Sequence, residues 1–440
     1  MGKALLGRFL WIAGIAVAAG LLLFLRSTLE GPRSPLSEGV YVWQRVWTAE
    51  VAEALQGLPG DIQGVLPLVA EVAFEPGSRK AKVTRIRWKP GSFSQQGPPL
   101  TLVIRVGDSG AKTNWDSWAC AETRSLASEL LKEATAGEVE VVGLQIDYDC
   151  PASRLGDYGK LLRSLQEDEE LASLELSFTS LPSWLDSDKD GFRALAEISD
   201  YFVLQVHALE LPKGARDPVV VMNPSLARSA VKKAAQLETP YFVALPTYSS
   251  FVVFDKSTEK VVNVISEDLD FSTVSEDQRL ILGEAPAEEI AGMISAWSRQ
   301  APDPHFQGVF WYRLPVKGDV LNWPASAWAK VRAGEVPQRE LRVDIQTEDE
   351  AFHRLTLRNA GELPDAHFPK AITVRLEGTG SLVGADGGRW YATEGAAGDE
   401  VSFTLVSQKH DFVPLPIGRE LPIGWVRKTG PGELVVEFSR

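Results

Sequence analysis

From Val40 onward, short continuous apolar runs alternate with stretches of helical periodicity. The runs are Val40 to Trp43, Gly64 to Ala70, Leu100 to Val106, Val141 to Tyr148, Leu174 to Thr179, Tyr201 to Val206, Tyr241 to Leu245 and Val309 to Tyr312. Most are unbroken rather than strictly alternating, as expected of parallel strands covered on their outer side by helices. Between them, Asp116 opens a helical stretch through Lys132, with apolar residues at Trp118, Leu126, Leu130 and Leu131. Asp157 opens another carrying Leu161, Leu162 and Leu165, and Asn223 followed by Pro224 opens 225–236. Pro286, with Glu288 and Glu289 behind it, opens one through Trp297. Eight strands with helical crossovers in roughly 290 residues predict an α/β fold, a (β/α)8 TIM barrel. An open doubly wound sheet is the alternative. It needs a Gly-rich turn after the first strand, where Trp43, Gln44, Arg45, Val46 and Trp47 stand instead.

The stretch Asp255 to Gly283 is long for a strand-to-helix loop and holds its own apolar run, Val261 to Ile265, which predicts a small hairpin inserted at the barrel mouth. After Ala333 the pattern changes, with Gly334 and Pro337 breaking the helical periodicity. Strand-like runs then follow at Leu341 to Ile345, Arg354 to Leu357, Ile372 to Leu376, Val401 to Leu405 and Leu434 to Phe438, separated by Gly and Pro. That spacing predicts a small all-β sandwich of about 100 residues.

At the other end, Phe9 to Leu25 carries no charge, between Lys3 and Arg8 on one side and Arg26 on the other. As a helix it reaches roughly 26 Å, enough to span a bilayer if Arg8 snorkels. The expectation is an uncleaved single-pass anchor in the cell membrane. The short basic tail lies inside and the body is exported to the periplasmic or extracellular face, with Ser27 to Glu38 as a Pro-containing tether. The division is then anchor and tether over 1–38, barrel over 39–336 and β-sandwich over 337–440.

A composition of 44% hydrophobic and 24% charged residues excludes disorder and a multi-span membrane protein as the main description. The net charge of −14, with no basic patch to override it, argues against a nucleic-acid partner. The two cysteines, Cys120 and Cys150, lie far from the anchor, and the sequence leaves open whether they are bridged or are two buried thiols.

Candidate chemistry concentrates on the fourth strand, Gly143-Leu144-Gln145-Ile146-Asp147-Tyr148-Asp149-Cys150-Pro151. Alternation puts Gln145, Asp147 and Asp149 on one face and Leu144, Ile146 and Tyr148 on the other. With the apolar set against the helices, the acids point into the barrel, at the C-terminal rim where barrel sites form. Two carboxylates so close repel each other, which keeps one protonated more readily, as a general acid requires. The same rim gathers Trp43 and Arg45 from the first strand, Arg105 and Asp108 from the third, and Trp184 after the fifth. Gln205 and His207 end the sixth, Tyr248 follows the seventh, and Trp311 and Arg313 end the eighth. Aromatic faces beside carboxylates and amides suit a sugar, whose C–H faces stack on rings while its hydroxyls seek polar partners. The competing reading is structural: the acids as ion-pair partners of Arg45, Arg105 or Arg313, and the tryptophans as core.

No metal or other cofactor is expected. The five histidines are scattered, and 186–197, with oxygen side chains at alternate positions, Gly191 sixth and Glu197 twelfth, has the spacing of a calcium loop without the flanking helices of a hand.

The segment Val142 to Asp149 is similar to the fourth-strand signature of family 18 chitinase-like barrels, Asp-Gly-x-Asp-x-Asp-x-Glu. That resemblance implies Asp149 in the proton donor's place, Asp147 in that of the aspartate orienting the substrate acetamido group, and Gln145 in that of an aspartate behind it. Gly308-Val309-Phe310-Trp311-Tyr312 likewise looks like the family's final strand, which implies Trp311 as the floor of the sugar subsite. The chain departs from the pattern in having aspartate for the donor glutamate and Val142 and Gln145 for two supporting acids. A broader resemblance rests on Tyr41-Val42-Trp43-Gln44-Arg45, Gln145 to Pro151, Leu181-Pro182-Ser183-Trp184-Leu185, Leu204-Gln205-Val206-His207 and Ala244-Leu245-Pro246-Thr247-Tyr248. Together they resemble the bacterial domain-of-unknown-function family 3142, understood as a glycosidase-like barrel without an established activity.

The function expected from these residues is that of a glycoside-hydrolase-like protein acting on or binding an extracytoplasmic polysaccharide or oligosaccharide. Asp149 would be its general acid, Asp147 the partner, and Trp43, Arg45, Gln145, Trp184, Gln205, His207, Tyr248 and Trp311 would contact the substrate. The alternative is a non-catalytic carbohydrate-binding or cell-envelope scaffold.

Overall fold

The computed structural model describes residues 35–438, apart from 76–77, 94–96, 108–114, 208–211, 213, 215–216, 268–273, 394–397 and 407–413. The expected membrane anchor and most of its tether therefore lie outside the described residues. Among the described residues no helix is long and apolar enough to cross a membrane.

The eight barrel strands are Ser37–Val42, Ile62–Phe74, Leu100–Gly107, Val141–Asp147, Glu175–Ser180, Tyr201–Gln205, Tyr241–Pro246 and Phe306–Tyr312, numbered first to eighth below. All neighbours are parallel. The first strand pairs with both the second and the eighth, so the sheet closes on itself and the open doubly wound alternative falls. Each predicted apolar run overlaps one of these strands. Ala81–Arg85, mostly exposed, adds antiparallel to the second strand and has no apolar run to announce it.

Local chemistry fixes the covering helices. Asp116 accepts from the backbone N–H groups of Trp118 and Ala119 at 3.1 and 3.0 Å and so caps Ser117–Ala136. Asn223 does the same for Pro224–Ala234, whose proline supplies the fixed φ of a first turn. The helix expected from Asp157 starts earlier, at Leu155, and Asp157 instead sits in its first turn, paired with Arg154 and Lys160. Ala287–Arg299 begins directly after Pro286, with Glu288 and Glu289 favourably placed against the helix dipole.

Inside the barrel, the Phe242 and Phe310 rings stack 4.3 Å apart and Tyr201 packs against both. Gly39 makes room for this plug, since a Cβ there would come within 2.6 Å of the Phe310 ring. The barrel is thus filled below its mouth, and a cavity opens at the C-terminal ends of the strands. The insertion after the seventh strand is a three-stranded antiparallel sheet, Ser249–Asp255 between Val261–Ile265 and Gln278–Glu284, rather than a two-stranded hairpin.

The C-terminal unit is two four-stranded antiparallel sheets. One runs in the order Leu341–Thr347, Phe352–Asn359, Glu420–Thr429, Ser381–Gly387, and the other Tyr391–Thr393, Glu400–Leu405, Ala371–Gly378, Gly432–Phe438. Their inner faces share one apolar core that includes Leu357, Val374, Tyr391, Phe403 and Val426. Arg339 joins this unit to the barrel through Glu284 at 2.9 Å, and Lys330 bonds Glu362 at 2.5 Å. Both cysteines are buried and no disulfide joins them, which answers the question the sequence left open.

Candidate active site

The fourth strand obeys the expected alternation. Leu144, Ile146 and Tyr148 are buried, Tyr148 against Trp115 and Tyr158, while Gln145 and Asp147 point into the barrel. The strand ends at Asp147, and Asp149 lies just beyond it. Asp147 and Asp149 open on a cavity of about 330 Å³ lined also by Tyr41, Trp43, Arg105, Thr179, Gln205, His207, Tyr248 and Tyr312. Such a volume lies within the range of small-ligand sites.

Two donors and a cation converge on Asp147. Thr179 Oγ1 and Gln205 Nε2 donate to Oδ1 at 2.6 and 3.0 Å, and Arg105 Nε stands 3.7 Å from Oδ2. The barrel register places Arg105 directly opposite Asp147. Beneath the floor, the Tyr41 hydroxyl donates to Gln145 Oε1 at 2.6 Å, and Gln145 Nε2 donates to Ser177 Oγ at 3.0 Å. Gln145 is therefore fully covered and supports the floor rather than contacting what enters the cavity.

Asp149 behaves differently. Its surface is open to the cavity, yet the surrounding walls strip enough water from the carboxyl to push its pKa up to about 7. Burial is the larger cause, the charge of Asp147 adds to it, and Arg105 opposes it. His207 is driven the other way by burial, down to about 4, and is neutral near pH 7. Its ring stacks on Tyr312 with centroids 4.5 Å apart and 14° between planes, and Tyr248 meets it edge-on while donating to its backbone carbonyl. Tyr312 packs in turn against Trp43 and Tyr41, which completes an aromatic wall facing the acids.

Besides Gln145, three residues expected at the cavity lie elsewhere in the structure. Trp311 is buried in the outer layer, its Nε1 donating to Glu38 Oε2 at 2.6 Å and its ring against Trp328, so Tyr312 and not Trp311 faces the cavity. Trp184 is likewise in the outer layer, donating to the Cys150 carbonyl at 2.9 Å and packed on Tyr158 and Phe192. Arg45 lines a neighbouring cavity and is held by Glu71 and Glu267 at 2.7 and 2.9 Å. Arg313 is buried beside it, paired with Asp319, while Asp108 lies outside the described residues. Tyr41, Thr179 and Tyr312 line the cavity as well, outside the set expected from the sequence. For Tyr41 the signal was present, because it shares a strand face with Trp43.

The calcium-loop spacing has a different use. Asp188 caps the helix Lys189–Ala196 by accepting from the Gly191 N–H, and Asp186 pairs with Lys233. Among the described residues no group of three metal-binding side chains occurs.

The chain is thus a closed (β/α)8 barrel with an acid pair in an aromatic-walled mouth, followed by a β-sandwich. Residues 96–317, about half of the chain, match the family described as a domain of unknown function, DUF3142, and the chain belongs to that family. A comparison with curated proteins finds no match. Among solved structures, the chain is similar to a chitinase from Chromobacterium violaceum at 13% identity and a TM-score of 0.46, over 68% of this chain and 98% of that one. It is also similar to the spore cortex-lytic enzymes SleL of Bacillus megaterium and Bacillus cereus. Both are 12% identical with a TM-score of 0.48, over 69% and 70% of this chain and 75% and 76% of theirs. The barrel rests on its own strand order, independently of these likenesses.

Proposed function

We propose that the barrel mouth binds and cleaves a glycan of the cell exterior, with Asp149 as general acid and Asp147 as the carboxyl that orients the substrate and stabilises positive charge at the reacting carbon. The observation that carries this reading is the contrast between two acids in one cavity. Asp147 is fixed by hydrogen bonds from Thr179 and Gln205, with the Arg105 charge nearby, whereas Asp149 has its pKa raised to about 7. A proton donor held near neutrality beside a fixed carboxyl is the arrangement glycoside hydrolysis uses. The wall of Trp43, Tyr312 and His207 offers ring faces for a sugar, and Gln205 offers a hydrogen-bonding amide.

The aspartate at the donor position places its carboxyl about 1.5 Å further back than a glutamate would, which favours a substrate that enters deeply. The exported, membrane-tethered location is part of the same proposal and is supported by the charge-free run from Phe9 to Leu25. Fractionation with protease shaving of intact cells tests it, since an exported body is cut from outside.

The function is tested by Asp149→Asn on the full chain against a panel of oligosaccharides. Turnover should fall about 100-fold or more while glycan affinity holds. Unchanged turnover would remove Asp149 as the acid. Binding by both proteins with no turnover by either would favour the non-catalytic carbohydrate-binding alternative.

A further inference from the structure

Resting on the sugar-site reading above, we propose that Arg105 recognises a carboxylate on the substrate, so that the cavity selects glycans in which acidic sugars stand among neutral ones.

Arg105 is placed by the third strand directly opposite Asp147 and lines the cavity. Its side chain is 37% exposed there. The Trp43 ring supports one side of the guanidinium, 5.9 Å from its carbon to the ring centroid. A guanidinium held by its face keeps its in-plane N–H edges for ligands. The closest approach to Asp147 is that of Nε at 3.7 Å, beyond hydrogen-bond length, and Asp147 Oδ1 already accepts from Thr179 and Gln205.

Three other arginines of the barrel differ. Arg45 is clamped by two glutamates, Arg313 by Asp319 and the Ser266 carbonyl, and Arg332 by Glu38 and Asp61. Those three tie elements together, whereas Arg105 presents its charge to the cavity. A carboxylate matches the planar fork with two parallel hydrogen bonds, which a sugar hydroxyl cannot. Asp149, kept largely protonated below neutrality, places no full negative charge against such a ligand. The net charge of −14 repels dense polyanions at long range, so the carboxylate belongs to a sparsely charged glycan, in which acidic units alternate with neutral ones.

The experiment uses the full chain carrying Asp149→Asn, to suppress turnover, on an array of uronate-containing oligosaccharides each paired with its carboxyl-reduced counterpart. The acidic member of at least one pair should bind about 10- to 100-fold tighter, the range of charge-assisted hydrogen bonds. Adding Arg105→Gln should erase that preference while affinity for the neutral member persists, and Arg105→Lys should restore part of it. Persistence of neutral binding also shows that the variant has folded. Equal binding of acidic and reduced members, or a preference that survives Arg105→Gln, would overturn this inference and leave the sugar site standing. Binding of no glycan at all would overturn both.

Discussion

Raising the pH through 7 should switch the activity off, and the point at which it does so should move in opposite directions when two neighbouring charges are removed. Asp149 titrates at about 7 because burial disfavours its charge and Asp147 repels it, with Arg105 opposing. A general acid works in its protonated form, so kcat/KM should be flat below that value and fall about tenfold per pH unit above it. Asp147→Asn removes the repulsion and should lower the midpoint by about one pH unit. The midpoint stays above that of an ordinary carboxylate, since burial, the larger cause, remains. Arg105→Gln removes the attraction and should raise the midpoint by a comparable amount. The assay is the pH dependence of reducing-sugar release, backed by an NMR titration of carbon-13-labelled aspartate carboxyls, which needs no turnover. A midpoint near 4 in the native chain, or shifts of the same sign in the two variants, would refute the electrostatic arrangement.

Support beneath the floor is tested by Tyr41→Phe. It strips the 2.6 Å hydrogen bond from the buried Gln145 Oε1 and should cost about 1–3 kcal/mol in urea or thermal unfolding. Trp311→Phe breaks the bond to Glu38, whose carboxylate keeps Arg332 at 2.6 Å, and should lower stability by a similar amount of about 1–3 kcal/mol without weakening glycan binding. Trp184→Phe, which removes the indole N–H that donates to the Cys150 carbonyl, should do likewise. A glycan affinity reduced tenfold by either tryptophan change at unchanged fold would contradict their placement in the outer layer.

The barrel was legible because burial on both faces makes each parallel strand a continuous apolar run, and helix caps such as Asp116 and Asn223 mark the crossovers. The fourth strand was legible in finer detail, since its polar residues alternate and so declare which face is inward. The eighth strand carried no such information. Val309, Phe310, Trp311 and Tyr312 are all apolar or aromatic, and the phase is set by tertiary packing, with Phe310 fitted over Gly39. That sends Tyr312 inward and Trp311 out. Trp184 misled for a related reason, as its position after the fifth strand fits a rim residue while its indole N–H is spent on the Cys150 carbonyl.

In the sandwich, Glu420–Thr429 is not legible as a strand because Pro422 and Gly424 interrupt it, nor is Ser381–Gly387, because small and polar residues dilute its apolar pattern. Arg45 and Arg105 illustrate the limit on the site itself. Both are arginines at strand ends, and only the distances to Glu71, Glu267 and Asp147 separate the one that is clamped from the one that faces the cavity.

The most direct test is a crystal structure of the Asp149→Asn protein soaked with its best-binding oligosaccharide. A sugar ring lying against Trp43, Tyr312 and His207, with its glycosidic oxygen within hydrogen-bond reach of residue 149, is the outcome expected. An empty barrel mouth with the oligosaccharide held on the β-sandwich or on the outer helices would contradict it.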